Sequence, residues 1–565
     1  MKKYNLFKVL AITVFVAWLL TLFIPASYTD YSGNIVTDSV AAVGVWSLLS
    51  NLSISISYFN SIAIFLIAVA CFYAVMNKLE VYKNFVNKVA SLFENKSGLL
   101  VTITIIVFGV LACLVSDPMI LIAFMPFIYQ VMKALEIDKK VILSSTIVAT
   151  LIGAMCGIYN STLFSLLSLE VNTLLLVKII VLVLALAVLI FFVAPRKLKV
   201  QKTAKKEVKK PATKQESKKS SVKKVATKAS LNKEDKSVKK VNKTIYAVLT
   251  ILLGTLGINK FYAGKIKAGI LSIVFCWTLI PTILSIAEFI TVLTEKSDKE
   301  GKIPATSSRR TNVLFGTSLV LFVLFTIGAI IPWESLFNTT IFSDFNSFLS
   351  EIKIGDYAIF SNLIGAPIVT DSTGYASGVI NAFGSFTMLD VAIFLFIITA
   401  VIALCSKIKF NDFIATETEG IKKVLPIAIT AMLISIVLVI MVTSGVATTI
   451  ANWIISITDG FNIATATLSS MVGSVLTSDF YYFASTVGVV FTSVVSNADL
   501  YGVIGFIMQS IYYLMMIFAP TSVALIIGLY YLNIPFGKWF KYIWKVLLAL
   551  LIIIVVASII IFALV

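Results

Sequence analysis

Two aspartates stand inside long apolar stretches, and each ends a Leu-x-Ser-Asp string, at Asp117 and at Asp479. A carboxylate at membrane depth is costly and by default indicates function. It can coordinate sodium as a hard oxygen ligand, carry a proton or pair with a cationic solute. The structural alternative is that each aspartate caps the N-terminus of a half-helix by accepting backbone N–H bonds.

A second polar cluster follows each aspartate about 45 residues later. The first, at 153–162, contains two glycines and ends in Asn-Ser-Thr, and the second, at 519–522, reads Ala-Pro-Thr-Ser. Where a membrane helix is interrupted, backbone groups lose their helical hydrogen bonds and can bind solutes and coupling ions. The alternative is that Ser, Thr, Gly and Pro are tolerated in membrane helices for packing. The matched placement predicts one solute and ion site formed by nine residues: Ser116, Asp117, Asn160, Ser161, Thr162, Ser478, Asp479, Thr521 and Ser522.

The elements that position these residues must lie in a membrane. Of 565 residues, 59% are hydrophobic and 13% are charged, whereas soluble domains are nearer 45–50% apolar and about 25% charged. Apolar runs of roughly 17–25 residues, the length that crosses the hydrocarbon layer, recur along the chain. The sequence therefore predicts an all-α integral membrane protein, with no obvious buried Lys or Arg.

The stretches 98–135 and 461–496 differ from ordinary spans. Each turns at a polar triplet, around Asp117 or Asp479, with no solvated loop. A turn within the membrane is allowed only where it is buried in protein or lines a cavity. We therefore predict two helical hairpins of the re-entrant kind, with two full spans in each stretch as the alternative.

The order of elements is the same in the two halves: two spans, a short amphipathic stretch, a hairpin, an interrupted span and a span. Cytoplasmic loops carry an excess of Lys and Arg, and by this rule the first unit begins inside and the second begins outside. One extra crossing, at 312–332, inverts the second copy. Inverted repeats with interrupted helices that meet at the midplane are the architecture of secondary transporters. The same rule predicts a cytoplasmic N-terminus and an external C-terminus.

A basic segment separates the halves. From Arg196 to Lys243 there are 19 basic and four acidic residues and almost no apolar content, a composition that predicts disorder. A cytoplasmic linker close to anionic lipid explains this charge better than a nucleic-acid-binding segment, because the rest of the chain is nearly neutral. We therefore predict no nucleic-acid partner.

The string Leu-Gly-Thr-Leu-Gly-Ile-Asn-Lys-Phe-Tyr-Ala-Gly-Lys at 253–265 resembles the TM-two domain signature LGxxGxHRFYxGR. An apolar stretch at 268–294 follows, with Glu288 where the family usually has Asp. Asn259 stands where the family commonly has His, so no role of that histidine carries over. The resemblance covers about 242–297 and implies a small membrane unit. We expect this unit to act in regulation or assembly.

The segments 1–194 and 312–565 resemble the YfcC/DcuC-type branch of the ion-transporter superfamily. The resemblance rests on FIPASYTDYSGNIV after the first span, on the Asp117 hairpin, and on the late strings FAPTSVALIIGL and PFGKWFKYIWK. Members of this family are ion-coupled carriers of four-carbon dicarboxylates or, by assignment, of amino acids. The resemblance implies an elevator-like mechanism, with the nine residues above at the hairpin tips and interrupted helices.

These patterns predict five parts. They are a first transporter repeat at 1–194, the basic linker at 195–241, a TM-two domain at 242–297, a cytoplasmic loop with a connecting span and an outer loop at 298–383, and a second, inverted repeat at 384–565. The expected partners are the lipid bilayer, anionic lipid near the linker and a small-molecule solute. A homodimer is an assembly that the sequence leaves open.

Several classes of function are disfavoured. With no histidine in the chain, His catalysis and His proton relays are excluded. No HExxH, GxSxG or Walker-type string is present, which argues against an enzyme and against an ATP-driven pump. No cofactor is predicted. The expected coupling ion is Na⁺ or H⁺, and Na⁺ would bind at Asp117 and Asp479.

The sequence predicts secondary active transport of an amino acid or a four-carbon dicarboxylate across the plasma membrane. The alternative is a non-transporting TM-two-domain scaffold or sensor.

Overall fold

The computed structural model describes residues 4–30, 33–171, 173–194, 240–274, 280–295, 297–298, 300–304, 310–358, 381–458 and 460–565. The described chain is mostly helical, as the composition predicts. Most of the predicted basic linker, and residues 359–380 of the predicted outer loop, lie outside the described residues.

The first half contains a helical hairpin and an interrupted helix. Its helices are α1 (Tyr4–Thr21), α2 (Val45–Met76), α3 (Glu80–Leu92), α4 (Ser97–Leu114), a 3₁₀ helix (Pro118–Phe124), α5 (Met125–Ala134), α6 (Lys139–Leu143), a π-helix (Ser144–Val148), α7 (Ala149–Met155), α8 (Ser161–Leu167) and α9 (Leu175–Val193). Strands β1 (Ser27–Thr29) and β2 (Ile35–Thr37) form an antiparallel ribbon between α1 and α2.

The middle of the chain forms a small helical unit and a connecting helix. Its elements are β3 (Lys240–Asn242), α10 (Lys243–Leu253), α11 (Ile258–Tyr262), α12 (Ile266–Val274), α13 (Ile280–Thr294), β4 (Lys302–Pro304), α14 (Arg310–Val323), a π-helix (Leu324–Gly328), α15 (Trp333–Phe337), α16 (Ile341–Glu351), β5 (Lys353–Ile354) and β6 (Tyr357–Ala358). β3 pairs antiparallel with β4, with Val241 opposite Ile303, so this ribbon brings the two ends of the small unit together.

The second half repeats the order of the first. Its helices are α17 (Met388–Cys405), α18 (Phe410–Thr443), α19 (Val446–Ile455), α20 (Ile463–Leu476), α21 (Phe480–Phe483), a π-helix (Ala484–Gly488), α22 (Val489–Val494), a 3₁₀ helix (Ala498–Leu500), α23 (Tyr501–Met516), α24 (Val523–Leu532) and α25 (Phe536–Leu564). Breaks in helical structure lie at 115–117, 156–160, 477–479 and 517–522, where the sequence has its polar clusters.

Within the described ranges, four helices are long and apolar enough to cross a membrane, namely α4, α9, α18 and α25. The two parts of α2 make a fifth if they count as one span, since they bend by 49°. Several shorter apolar helices accompany them, among them the parts of the hairpins and of the interrupted helices. The chain is therefore an integral membrane protein in which many helices are shorter than a full span.

The helices pack in two groups. In one group the long helices α2 and α18 lie against each other, with α17 on α2 and α1 on α18. In the other, α7 packs against α4 and α23, α9 packs against α25, and α20 packs against α23. The closest approach that we identify in the second group is between α7 and α4, where a Cβ added to Gly153 would lie 2.1 Å from the carbonyl oxygen of Gly109.

Candidate functional site

The tip of the first hairpin is a break of three residues between α4 and the 3₁₀ helix. Asp117 is the N-cap of the 3₁₀ helix, and its Oδ1 accepts a hydrogen bond of 3.0 Å from the backbone N–H of Met119. Its Oδ2 accepts no hydrogen bond from the described residues. Ser116 fixes the tip to another part of the chain, since its N–H and its Oγ both donate to the carbonyl of Ile330, at 3.0 and 2.9 Å.

The tip of the second hairpin has the same local design. Oδ1 of Asp479 accepts hydrogen bonds from the backbone N–H groups of Tyr481 and Tyr482, at 2.9 and 3.3 Å. The hydroxyl of Tyr512, on α23, donates to the carbonyl of Ser478 at 2.9 Å. Both aspartates therefore cap short helices, as the structural alternative requires, and each cap uses one carboxylate oxygen.

The second interrupted helix breaks between α23 and α24. Ser522 caps α24, because its Oγ accepts a hydrogen bond of 3.3 Å from the N–H of Leu525. Thr521 is buried, and its Oγ1 has no hydrogen-bond partner in the described part of the chain. The same holds for Oγ of Ser478 at the hairpin tip. Hydroxyl oxygens are hard ligands of the kind that a cation such as Na⁺ takes.

A central cavity of about 250 Å³ lies where the two hairpin tips meet the second interrupted helix. It brings together five of the nine predicted site residues: Ser116, Asp117, Ser478, Asp479 and Ser522. A cavity of this size holds several water molecules or a small solute. The two aspartates, 362 positions apart in the numbering, thus line one cavity.

Aromatic rings form one wall of this central cavity. Phe480 and Tyr513 are stacked with ring centroids 5.8 Å apart, and Tyr512 lies edge-on to Phe480 at 5.0 Å. Ring faces attract cations within about 6 Å of the centroid. Among the described residues, no Lys or Arg lines the cavity. Two carboxylates and three rings therefore make its lining electronegative.

The three predicted residues of the first interrupted helix lie elsewhere. Asn160 caps α8, its Oδ1 accepting from the N–H of Leu163 at 3.1 Å. Ser161 lines a second cavity, of about 370 Å³. The next residue, Thr162, is half-buried. Thr150 lies on α7, about one and a half turns before the break. Its hydroxyl-bearing side chain lines the central cavity.

The second cavity adjoins the first at the hairpin tip, since Ser116 and Asp117 line both. Its other wall is formed by residues 332–335 and 383–388. Glu334 lies in this wall, and hydrogen bonds from the side chain and the backbone N–H of Ser343 hold the pKa of its carboxyl below the usual range. Glu334 is therefore charged at neutral pH.

A third cavity of about 250 Å³ lies between the long helices α2 and α18, helix α5 of the first hairpin and helix α24 of the second interrupted helix. It shares Ile122 with the central cavity. Its polar lining includes Asn77, Gln130 and Lys423. The three cavities thus form a series in which neighbours share lining residues.

Sequence reasoning missed several residues of the site. Thr150, Tyr512 and Tyr513 line the central cavity but lie in apolar runs without a distinctive local string. The expectation of no buried basic residue was wrong, because Lys178 on α9 is only 7% exposed. Its position in the first turn of a span made it look like an ordinary interfacial lysine. Its Nζ donates to the carbonyl of Gly157 at 3.1 Å.

The small middle unit has a polar cluster of its own. The hydroxyl of Tyr246 donates to Oε1 of Glu288 at 2.5 Å, and Nδ2 of Asn259 donates to Oε2 of Glu288 at 3.1 Å and to Oγ1 of Thr250 at 3.2 Å. Asn259 therefore joins α10 to α13 as a hydrogen-bond donor. The unit also touches the first half, since Nζ of Lys88 on α3 donates to the carbonyl of Leu293.

Comparison with known proteins places this middle unit in a class. The TM2 domain family matches residues 239–290. The uncharacterized membrane protein YozV of Bacillus subtilis (strain 168) is 52% identical over 56 residues, which are 10% of this chain and 71% of that protein. The chain therefore belongs to the TM2 domain family through this segment. No solved structure matches the chain.

Proposed function

We propose that this protein is a secondary active, ion-coupled carrier of a small polar solute, an amino acid or a four-carbon dicarboxylate, and that it works in the plasma membrane. The observation that carries the proposal is the central cavity that Asp117 and Asp479 share. Charged side chains at membrane depth mark solute and ion pathways. The ends of half-helices that surround the cavity supply oriented backbone dipoles, as secondary transporters require.

The helix contacts support an internal repeat with two-fold symmetry. α2 packs against α18, α7 against α23 and α9 against α25, and each pair joins elements that hold the same place in the two halves. The contacts of α1 with α18 and of α17 with α2 are reciprocal in the same sense. A molecule related to itself by a two-fold axis has such self-paired and reciprocal contacts. We infer alternating access of an elevator-like kind between the two groups of helices.

The series of cavities supports a path for solute. Lys423, on α18, lines the third cavity and belongs to a Lys-containing stretch, 407–423, that the charge rule assigns to the cytoplasm. Glu334 lines the second cavity and belongs to the segment poor in Lys and Arg that the same rule assigns to the outside. The central cavity lies between them. Movement of the first hairpin tip would connect or separate the central and second cavities.

The charge of the central cavity bears on the solute. Two carboxylates and three aromatic rings favour a cation or a zwitterion such as an amino acid over a bare dianion. A dicarboxylate would need co-bound sodium and the half-helix N-termini to offset the repulsion. We therefore rank amino acids first and keep dicarboxylates in the test.

A scaffold or sensor built on the TM2 domain is the second candidate function. The observation that favours it is the contact of the TM2 unit with α3 and with α14, which links this unit to the helix that joins the two halves. A scaffold would make no use of the central cavity. Solute uptake therefore separates the two functions.

The test has two stages. A thermal-shift screen of amino acids and dicarboxylates, with and without sodium, identifies a ligand, since a ligand at a hundred times its Kd stabilises by about 2.7 kcal/mol. Uptake of that ligand into proteoliposomes is then expected to require a Na⁺ or H⁺ gradient and to cease when an ionophore collapses it. Liposomes without protein serve as the control. No uptake under any gradient would favour the scaffold.

Orientation makes a separate prediction. We expect the segment around Ser220 to be cytoplasmic and the C-terminus to be external, because the Lys- and Arg-rich loops alternate with spans. In a cysteine-labelling experiment on intact cells, an impermeant thiol reagent should modify a cysteine added after Val565 but not one at position 220 until the membrane is opened. Labelling of the position-220 cysteine in intact cells would contradict the assigned orientation.

A further inference from the structure

The first interrupted helix ends in a set of backbone carbonyls that side chains of other helices satisfy. The carbonyls are those of residues 154–157, which follow or close α7, where the helix macrodipole is negative. Their donors come from three helices: Gln509 to Ala154 at 2.9 Å and to Gly157 at 3.0 Å, Ser510 to Met155 at 3.3 Å, Cys113 to Cys156 at 3.1 Å, and Lys178 to Gly157 at 3.1 Å.

Lys178 differs from the other donors because it brings a charge. Its ammonium group is buried, and within the described residues it forms no salt bridge. The titratable groups that interact with it are the thiols of Cys113 on α4 and Cys156 at the break. Backbone carbonyl dipoles are thus the negative groups that face this ammonium. Carbonyls at a helix break are also the ligands that coupling cations take in secondary transporters.

The second interrupted helix is closed differently. Nε1 of Trp539 donates to the carbonyl of Ile517 at 3.0 Å. Trp539 is the fourth residue of α25, as Lys178 is the fourth residue of α9, so the two side chains hold matching places. The indole N–H is neutral, and Oγ1 of Thr521 at this break is buried without a hydrogen-bond partner in the described chain.

We propose that the ammonium group of Lys178 is a resident cation at the first helix break, in the place that an exchangeable monovalent cation would otherwise take. The exchangeable coupling cation then binds at the second break alone, at Thr521. That the cation is a coupling ion rests on the proposed ion-coupled transport. The number of cation sites per chain can be measured without transport.

The test is equilibrium binding of radiolabelled sodium to the purified full-length protein in detergent, at constant ionic strength with choline chloride. We expect one sodium ion per chain for the wild-type protein. Lys178→Ala removes the ammonium and leaves room beside the carbonyl of Gly157, so this variant should bind two. Lys178→Met is the matched control, because it fills the space without a charge, and it should bind one.

Three results would overturn the proposal: no sodium or two sodium ions on the wild-type protein, or an unchanged count on folded Lys178→Ala. If that variant is not recovered folded, Thr521→Val tests the other half with Lys178 in place. It should lose the sodium ion of the wild-type protein, and retained binding would contradict the assignment to the second break. If the expected counts are found but no solute is taken up, the transport proposal fails and the cation assignment stands.

Discussion

Asp117→Asn and Asp479→Asn should each reduce solute uptake in proteoliposomes by at least about tenfold, equivalent to about 1.4 kcal/mol in the rate-limiting barrier. Asn keeps the shape of the side chain and the Oδ1 acceptor that caps the following helix, and Asn caps helices about as well as Asp. The change therefore removes the negative charge from the central cavity and retains the cap. A group that binds a cation or carries a proton needs that charge.

A matched control for these variants is available in Asp138. It caps α6 through Oδ1, which accepts from the N–H of Lys140 at 2.7 Å, the same two-residue spacing as between Asp117 and Met119. It does not line the central cavity. Asp138→Asn should transport at the parental rate. Parental rates and unchanged ion dependence in both cavity variants would make the two aspartates structural caps, and the site would then rest on the hydroxyls of Thr150, Ser478 and Ser522.

Gly153→Ala should destabilise the protein by about 3 kcal/mol or more, near the upper end of what overpacking usually costs. The added Cβ would lie 2.1 Å from the carbonyl oxygen of Gly109 and 2.7 Å from Cβ of Ala112. No rotamer change relieves a clash with backbone, so α7 and α4 must move apart. Small residues permit such close helix packing in membranes. The measurement is the apparent Tm and the monodisperse fraction after extraction in detergent.

Two other glycines provide a graded comparison. At Gly109 the added Cβ would meet the side chain of Leu186 at 2.6 Å, and that flexible side chain is able to shift. At Gly537, near the start of α25, nothing lies within 4 Å. We expect the largest loss for Gly153→Ala, an intermediate loss for Gly109→Ala, and little change or a small gain for Gly537→Ala, since Ala is the better helix former. Equal stability of all three variants would show that α4 and α7 are loosely packed.

Local sequence was informative wherever a feature depends on neighbouring residues. The polar strings at Asp117 and Asp479 coincide with helix ends because Ser and Asp compete for backbone hydrogen bonds and favour caps over helix interiors. Helical structure likewise breaks between Met155 and Ser161, and between Met516 and Val523. The predicted role of the nine site residues in binding remains a prediction that the Asp117 and Asp479 variants would test.

Contacts between distant segments were beyond local reasoning. The side chain of Ser116 meets the carbonyl of Ile330, and that of Gln509 meets the carbonyl of Ala154. Each contact joins segments far apart in sequence, and whether they meet depends on the packing of the whole bundle. For the same reason the sequence favoured Asn160, Ser161 and Thr162 in the shared site, whereas the structure brings Thr150 to the central cavity.

By itself the sequence determined the class of protein and the positions of its irregularities. Hydrophobic content sets the membrane environment, because a soluble fold has no means to cover so much apolar surface, and the spacing of glycines and aromatics identifies the TM2 unit. Tertiary structure alone decided that the two aspartates line one cavity and that Lys178 lies buried against a helix break. The physical reason is that cavities and buried charges depend on how helices pack against one another. Composition and local sequence patterns report only on single helices and their ends.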